Sequence, residues 1–158
     1  MSEKDGEVND PILQWVTYKL EDETYGINVM QVQEVLRITE IAPVPGAASY
    51  VLGIINLRGN VVTVIDTRSR FGLMSKETND ESSRIIIVEV NGNVIGMLVD
   101  SVAEVVYLHQ SEIDSAPNVN NDEGSHFIQG VCNRNSQLLI LVDVDKLLTE
   151  EVADFSEF

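Results

Sequence analysis

An internal repeat is the feature of this sequence that most limits its possible folds. Two sets of residues recur along the chain in the same order, each set at its own fixed spacing. At a spacing of 70 residues the pairs are Gly26 and Gly96, Val29 and Val99, Val32 and Val102, Glu34 and Glu104, and Val35 and Val105. At a spacing of 77 residues they are Gly53 and Gly130, Asn56 and Asn133, and Asp66 and Asp143. The chain is therefore predicted to contain two related units that differ in loop length.

The segments of each unit are short and rich in Val and Ile, which favours strands over helices. The stretch from Arg84 to Val99 is interrupted by Asn91-Gly92, a pair typical of a two-residue type I′ hairpin turn. The runs Val61 to Ile65 and Leu138 to Val142 are almost entirely apolar, so both of their faces are expected to be covered. The sequence predicts an all-β fold of small barrel-like lobes that share strands or pack firmly together, with a cleft between them.

Helical signals are few and short. Asn28 followed by Gln31 is typical of a helix start, with Val29, Val32 and Val35 on one face. A second helix is predicted from Asp145 to Val152, where Asp145 is the expected cap and two leucines, at positions 147 and 148, are expected to dock on the core.

Charge is the unusual part of the composition: 26 acidic residues against 10 basic ones give a net charge of −16. Such a surface repels phosphate and anionic headgroups, so nucleic acid is excluded as a partner and membrane insertion is not expected. The acids concentrate in 1–23 and 143–158, each with a net charge of −5. In contrast, 41–76 carries one acid and four bases, a net charge of +3. This acid-poor stretch is a candidate docking surface.

The compartment is predicted from cysteine usage and hydropathy. One cysteine, Cys132, excludes an internal disulfide. The first residues are polar and acidic, and the longest unbroken apolar run, Leu138 to Val142, is far shorter than a membrane span. The sequence predicts a soluble cytoplasmic protein.

Catalytic chemistry has little support in the sequence. Asp66 and Asp143 follow equivalent apolar strands and could in principle form the paired carboxylates of a β-barrel hydrolase, but neither is followed by the Thr-Gly or Ser-Gly of aspartic proteases. The competing interpretation is that each aspartate caps the turn after its strand. His109, His126 and Cys132 match no zinc spacing, and no phosphate-binding or nucleophile motif occurs. We predict no catalytic residue, no cofactor and no metal.

One motif remains, the stretch from Gly53 to Gly59, whose second copy lacks the Leu-Arg-Gly end. A difference between duplicated units suggests a function in one of them. Arg58 could fork onto a partner carboxylate or a helix C-terminus, or it could pair within its own lobe.

Taken in order, these residues resemble the CheW family of chemotaxis coupling proteins. The matching stretches are Tyr25-Gly26-Ile27, Val32-Gln33-Glu34-Val35, Pro43-Val44-Pro45, Gly53 to Gly59, Val64 to Arg68 with Phe71, and Val99-Asp100 with Glu104-Val105. The similarity covers 12–148. Two positions depart from the family pattern: Thr63 replaces a common proline, and Arg68 follows Thr67 where leucine is common.

The resemblance implies two related five-stranded SH3-like β-barrel lobes, packed together, with short helices. The expected organisation is a single CheW-like module over 12–148, with lobe one over 24–74, lobe two over 84–143, and terminal segments shared between the lobes. A mobile acidic N-terminus, 1–11, and an acidic tail, 149–158, are expected outside the module.

The resemblance also implies a non-catalytic adaptor that couples transmembrane chemoreceptors to a CheA-type histidine kinase. Its expected partners are the cytoplasmic helical tip of the receptor and the regulatory domain of the kinase, in membrane-associated receptor arrays. Carried over by motif, the receptor-side residues are Val32, Glu34, Asn56, Arg58 and Gly59. The kinase contact is expected on exposed loops and strand ends, where the motif assigns no residues.

Overall fold

A computed structural model describes residues 10–74, 81–115 and 127–148. In these ranges the chain forms eleven strands: β1 Ile12–Leu20, β2 Glu23–Asn28, β3 Val32–Arg37, β4 Val51–Leu57, β5 Asn60–Asp66, β6 Arg84–Val90, β7 Asn93–Val99, β8 Ser101–His109, β9 Asp114–Ser115, β10 Ile128–Arg134 and β11 Gln137–Val142. The helical parts are 3-10 turns at Val29–Gln31 and Gln110–Glu112, a short helix α1 at Thr67–Arg70, and residues 144–148. The predicted all-β class is confirmed.

The strands form two sheets. The first sheet has five strands in the order β3-β6-β7-β5-β4. The second has six, in the order β8-β1-β2-β11-β10-β9, because the two-residue strand β9 adds to the five that the sequence predicts. The two sheets correspond to the two related lobes.

Each sheet takes strands from both repeat units. The hairpin β6–β7 of the second unit lies between β3 and β5 of the first, and the hairpin β1–β2 lies between β8 and β11. The lobes therefore do not follow the contiguous bounds expected from the sequence, 24–74 and 84–143. Without the exchanged hairpin, the facing edges of β3 and β5 would carry unpaired backbone groups, which the exchange satisfies.

The pairing repeats with the sequence. Strand β5 runs parallel to β7 with Val64 opposite Gly96, and β11 runs parallel to β2 with Leu141 opposite Gly26. A side chain on either glycine would crowd its neighbour, since an added Cβ would lie 3.3 Å from Val64 Cγ2 in one case and 3.1 Å from Leu141 Cδ2 in the other. The recurring glycines thus allow the close parallel crossing at which the two units join.

The space between the sheets is filled. One buried cluster joins Tyr18 and Ile27 of the second sheet to Ile65 and Ile86 of the first, together with Leu147 of the final helical turn. Two smaller clusters fill the individual lobes, one around Trp15 and one around Ile87. The lobes therefore pack firmly together over a shared core, as the sequence predicts.

Of two local predictions, the hairpin turn at Asn91-Gly92 is confirmed and the helix after Asn28 is not. The Asn91-Gly92 turn is confirmed, with φ of +54° and +83°. Asn28 does cap a turn through a bond from the Met30 amide at 2.9 Å, but the turn is 3-10 and Val32 begins β3, so the helix predicted to carry Val29, Val32 and Val35 is wrong. A local capping signal starts a turn, whereas cross-strand pairing determines the conformation of the residues after it.

The chain ends differ partly from expectation. In the C-terminal helix it is Asp143, not Asp145, that accepts a bond from a helical amide, that of Lys146 at 3.3 Å. The two predicted leucines at 147 and 148 are buried. Asp10, assigned to the mobile N-terminus, accepts bonds from the Ser111 amide and hydroxyl at 2.9 Å each. Residues 1–9 and 149–158 lie outside the described residues.

Candidate functional site

The turn between β4 and β5 presents the candidate residues. Leu57 pairs with Asn60, and the two residues between them have φ of +53° at Arg58 and +89° at Gly59, which is a type I′ turn. The Asn56 side-chain oxygen accepts a bond from the Gly59 amide at 2.8 Å and fixes the turn. Three of the predicted site residues thus form one local unit that holds Arg58 outward.

Arg58 reaches across the lobe to Glu34. Its Nη1 donates to Glu34 Oε1 at 3.4 Å, and Nη2 contacts Oε2, so the pair is forked. Glu34 lies on β3, at one edge of the first sheet, while the β4–β5 turn lies at the other. The pair therefore joins the two edges of the sheet. The sequence left two alternatives for Arg58: binding to a partner, or an ion pair within its own lobe. The structure shows the ion pair within the lobe.

The electrostatics of this pair favour the charged form of Arg58. The hydrogen bond from Arg58 to Glu34 raises the pKa of the guanidinium above its ordinary value. The Arg58 side chain nevertheless stays 69% exposed, against 28% for Glu34. An exposed ion pair contributes little to the free energy of unfolding. The guanidinium nitrogens of Arg58 can therefore leave Glu34 and bind a partner without unfolding the protein.

A cavity of about 520 Å³ lies beside Arg58. It is bounded by the first sheet: Gln33 on β3, the β4–β5 turn, and Asn93 at the start of β7. Val61 lines it with 70% of its side chain exposed. This arrangement brings an apolar contact, three side-chain amides and a guanidinium together in one depression.

The structure brings four of the five predicted residues together and leaves one apart. Glu34, Asn56, Arg58 and Gly59 meet at the turn, whereas Val32 is half-buried at the start of β3 and packs on the shared core. Sequence reasoning missed Gln33, Val61 and Asn93. Val61 was predicted to be covered on both faces, as was Leu138, and both are exposed. No local signal distinguishes an exposed valine at a strand end from one in a core.

The second lobe lacks the forked pair. The positions equivalent to Arg58 and Gly59 are Asn135 and Ser136, which also have positive φ, while Glu104 stands where Glu34 stands in the first lobe. The backbone turn is therefore duplicated, but the guanidinium is found in only one copy. The hypothesis that one unit carries the site stays a prediction.

The two aspartates considered for catalysis have structural roles. Asp66 ends β5 of the first sheet and Asp143 follows β11 of the second. Their amides donate to Tyr50 O at 2.7 Å and to Phe127 O at 2.8 Å, an equivalent bond in each unit. Asp143 caps its helix, whereas Asp66 is buried and makes no side-chain cap bond to α1, so the capping interpretation holds for one of the two.

Other candidates for chemistry stay separate. Burial raises the pKa of the Cys132 thiol. The Nδ1 atom of His109 lies 3.7 Å from Oδ2 of Asp10. His126 is outside the described residues. Among the described residues, no three His, Cys, Asp or Glu side chains are placed to hold a metal ion. Nor does any helix in that part of the chain have the length and hydropathy to cross a membrane.

Comparisons with known proteins agree with one another. The family model for the CheW-like domain matches residues 14–152. The chemotaxis protein CheW of Treponema pallidum (strain Nichols) is 34% identical over 147 residues, covering 91% of this chain and 86% of the relative. The chemotaxis protein CheW of Bacillus subtilis (strain 168) is 34% identical over 136 residues, covering 86% of each chain.

A solved structure shows the same similarity in three dimensions. The scaffolding protein TtCheW from Thermoanaerobacter tengcongensis superimposes with a TM-score of 0.80 and 33% identity, covering 87% of this chain and 93% of that one.

Proposed function

The chain belongs to the CheW-like domain family, and from that premise we propose that it couples chemoreceptors to a CheA-type histidine kinase by binding both. The relatives are named as chemotaxis proteins and as a scaffolding protein, so the chain is a chemotaxis scaffold and not an enzyme. The hydrolase alternative built on Asp66 and Asp143 has no support, because Asp66 ends β5 of the first sheet whereas Asp143 follows β11 of the second.

The proposed receptor contact is the cavity beside Arg58. The observation that carries it is the exposed, forked Arg58 held by Glu34 over a depression of about 520 Å³. A helix from the receptor tip would place an apolar side chain against Val61 and a carboxylate or a helix C-terminus against the guanidinium. Asn56 and Gly59 position the turn, and Val32 fixes the start of β3 against the core.

The proposed kinase contact lies elsewhere on the molecule. The regulatory domain of the kinase would bind loops and strand ends of the lobes and leave the Arg58 turn free for the receptor. Binding both partners at once would fix their relative geometry, so that a change in the receptor alters kinase activity. Receptor binding would also recruit the protein from the cytoplasm to membrane-associated arrays.

Arg58→Glu tests the receptor contact. Reversal of the charge places a carboxylate beside Glu34 and faces the receptor with repulsion, so we expect receptor affinity to fall at least tenfold. The assay is co-sedimentation of the protein with receptor cytoplasmic fragments, alongside kinase activation in the reconstituted complex. Circular dichroism and the urea midpoint should stay close to wild type, because the pair is exposed.

Two further variants make the result interpretable. Arg134→Glu makes the same charge change at the end of β10, away from the Arg58 turn, and should leave receptor affinity within twofold. The double variant Arg58→Glu with Glu34→Arg restores an internal pair of opposite orientation. Wild-type receptor binding by this double variant, or by Arg58→Glu alone, would contradict a direct contact from Arg58.

A further inference from the structure

Two arginines face each other at the end of the first sheet that is away from the Arg58 turn. Arg37 ends β3 and Arg84 begins β6, and their Cα atoms are direct partners in the antiparallel register. Like charges placed opposite each other across two strands are destabilising. In a protein of net charge −16, such a pair is conspicuous because acidic partners are abundant.

No acidic side chain in the described ranges neutralises this pair. Arg84 Nη1 donates to two backbone carbonyls, Glu81 O at 2.7 Å and Ser83 O at 2.9 Å, which fixes the guanidinium without cancelling its charge. Arg37 is exposed, and in the described part of the chain no carboxylate forms an ion pair with either arginine. Arg84 is thus held in place by backbone carbonyls, while Arg37 beside it is exposed.

Both side chains line one cavity. It measures about 460 Å³ and is completed by Ile38, Ser83 and Glu81. Two guanidinium groups against the one carboxylate of Glu81 leave an excess positive charge in it. None of these residues lines the 520 Å³ cavity at the Arg58 turn, so the two sites are separate.

The repeat shows that the fold does not require arginine here. Seventy residues from Arg37 is Tyr107, and seventy residues from Arg84 is Gln14. These two are also direct Cα partners, in the β1–β8 pair of the second sheet. The same backbone position is therefore uncharged in the other lobe, which points to a role for the arginine pair beyond the pairing of strands.

We propose that Arg37 and Arg84 form a binding site for a phosphate-type oxyanion. A phosphate-type oxyanion offsets the excess positive charge and reduces the repulsion between the two guanidinium groups, and its several oxygen atoms can accept forked bonds from both at once. A monocarboxylate has one charge and two oxygen atoms, which cannot satisfy both groups equally. The source of the oxyanion is either free phosphate or a lipid phosphate headgroup.

The test is a titration of the full chain with inorganic phosphate at constant ionic strength, followed by amide chemical shifts. Saturable shifts are expected at residues 37, 38, 83 and 84, with a dissociation constant on the order of 1 mM given the net negative protein. Arg37→Gln should weaken binding at least tenfold. Arg84→Lys, which keeps the charge but loses the fork, should weaken it severalfold. Arg134→Gln, the matched control for charge, should stay within twofold of wild type.

Thermal melting and vesicle co-sedimentation test the site further and distinguish a free phosphate from a lipid headgroup. Phosphate should raise the melting temperature of wild type but not of Arg37→Gln. Co-sedimentation with phosphatidylcholine vesicles that contain phosphatidic acid, lost in Arg37→Gln, would assign a lipid headgroup, and phosphate binding without co-sedimentation would assign a soluble anion. Equal affinity for acetate and phosphate, or shifts that Arg37→Gln leaves unchanged, would overturn the proposal.

Discussion

Among the glycines that the structure describes, Gly53 has the least room for a side chain. It lies at an irregularity of the β4–β5 pairing, where Ala42 and Ile54 exchange two backbone bonds of 2.9 and 2.8 Å. A Cβ on Gly53 would lie 2.2 Å from Ala42 O and 2.9 Å from Ile41 Cγ2. The close approach of the segment around Ala42 therefore depends on this glycine.

Gly53→Ala should cost about 3 kcal/mol of unfolding free energy, because the segment around Ala42 must move and its two bonds are strained or lost. Urea denaturation measures it. The matched control is Gly46→Ala, where φ is +82° and no atom lies within 4 Å of the added carbon, so only backbone strain of about 1 kcal/mol is expected. Equal losses in the two variants would show that Gly53 matters only through its backbone angle.

Thr67 gives the opposite prediction. It is fully buried at the start of α1, and its hydroxyl finds no hydrogen-bond partner among the described residues. Valine has the same shape without the hydroxyl, so Thr67→Val should raise the unfolding free energy by about 1 kcal/mol. A loss of stability in the same denaturation assay would mean that the hydroxyl has a partner in solution.

At the residue scale, the sequence was informative where chemistry is local. The Asn91-Gly92 turn and the lobe-specific Arg58 could be identified because each depends on its immediate neighbours. Val61 and Val32 could not be placed, because the exposure of a strand valine and the length of a turn depend on which distant strand lies alongside.

At the scale of elements, Arg68 joins parts of both sheets. Its Nε and Nη2 donate to the two carboxylate oxygens of Asp100 at 2.8 Å each, and its Nη1 donates to Glu21 Oε2 at 3.1 Å. Asp100 also accepts a bond from the Glu21 amide at 2.7 Å. The forked bond to Asp100 raises the pKa of Arg68 above its ordinary value. Helix α1 is thereby tied to the β7–β8 junction and to the β1–β2 turn.

Removal of either partner should weaken this link. The side chains of Arg68 and Asp100 are only 13% and 15% exposed. Arg68→Ala or Asp100→Ala should therefore each lower the unfolding free energy by about 2 kcal/mol, because the remaining charged group loses its paired hydrogen bonds. The double variant should cost less than the sum of the two, with a coupling energy of about 1 to 2 kcal/mol. Additive losses in a double-mutant cycle would contradict the link.

The elements themselves were largely predictable, whereas their partners were not. Short segments rich in Val and Ile indicate strands such as β6 and β7, and the repeat shows that strands recur. Nothing in 84–99 shows that this hairpin lies between β3 and β5, because that pairing joins segments far apart in the chain. The contiguous lobes expected from the sequence were the simplest interpretation of a repeat, and the exchange of hairpins replaced them.

For the whole molecule, the exchange means that neither half of the chain contains a complete sheet. The half before residue 80 holds β3, β4 and β5 but lacks β6 and β7, which lie in the middle of the first sheet. The same half holds β1 and β2 without β8 and β11 on either side of them. Each half alone would expose strand edges and half of the shared core.

A cut between residues 79 and 80 should therefore give two fragments that are unfolded apart and folded together. Size-exclusion chromatography and circular dichroism of each fragment, and of the equimolar mixture, measure this. We expect a cooperative thermal transition in the mixture alone. A cooperative transition in the fragment 1–79 by itself would contradict the interdependence of the two units.

The exchanged hairpins also set an order of events during synthesis. Strand β1 pairs with β8, so Ile12 cannot pair until His109 has been synthesised. The parallel partner of β2 is β11, which ends at Val142. The first sheet can be completed once 99 residues have left the ribosome, while the second, which contains the first strands made, is completed only near the C-terminus. The earliest hairpin is thus the last to find its place, which predicts slow folding for a chain of this size and a need for protection of β1–β2 while translation continues.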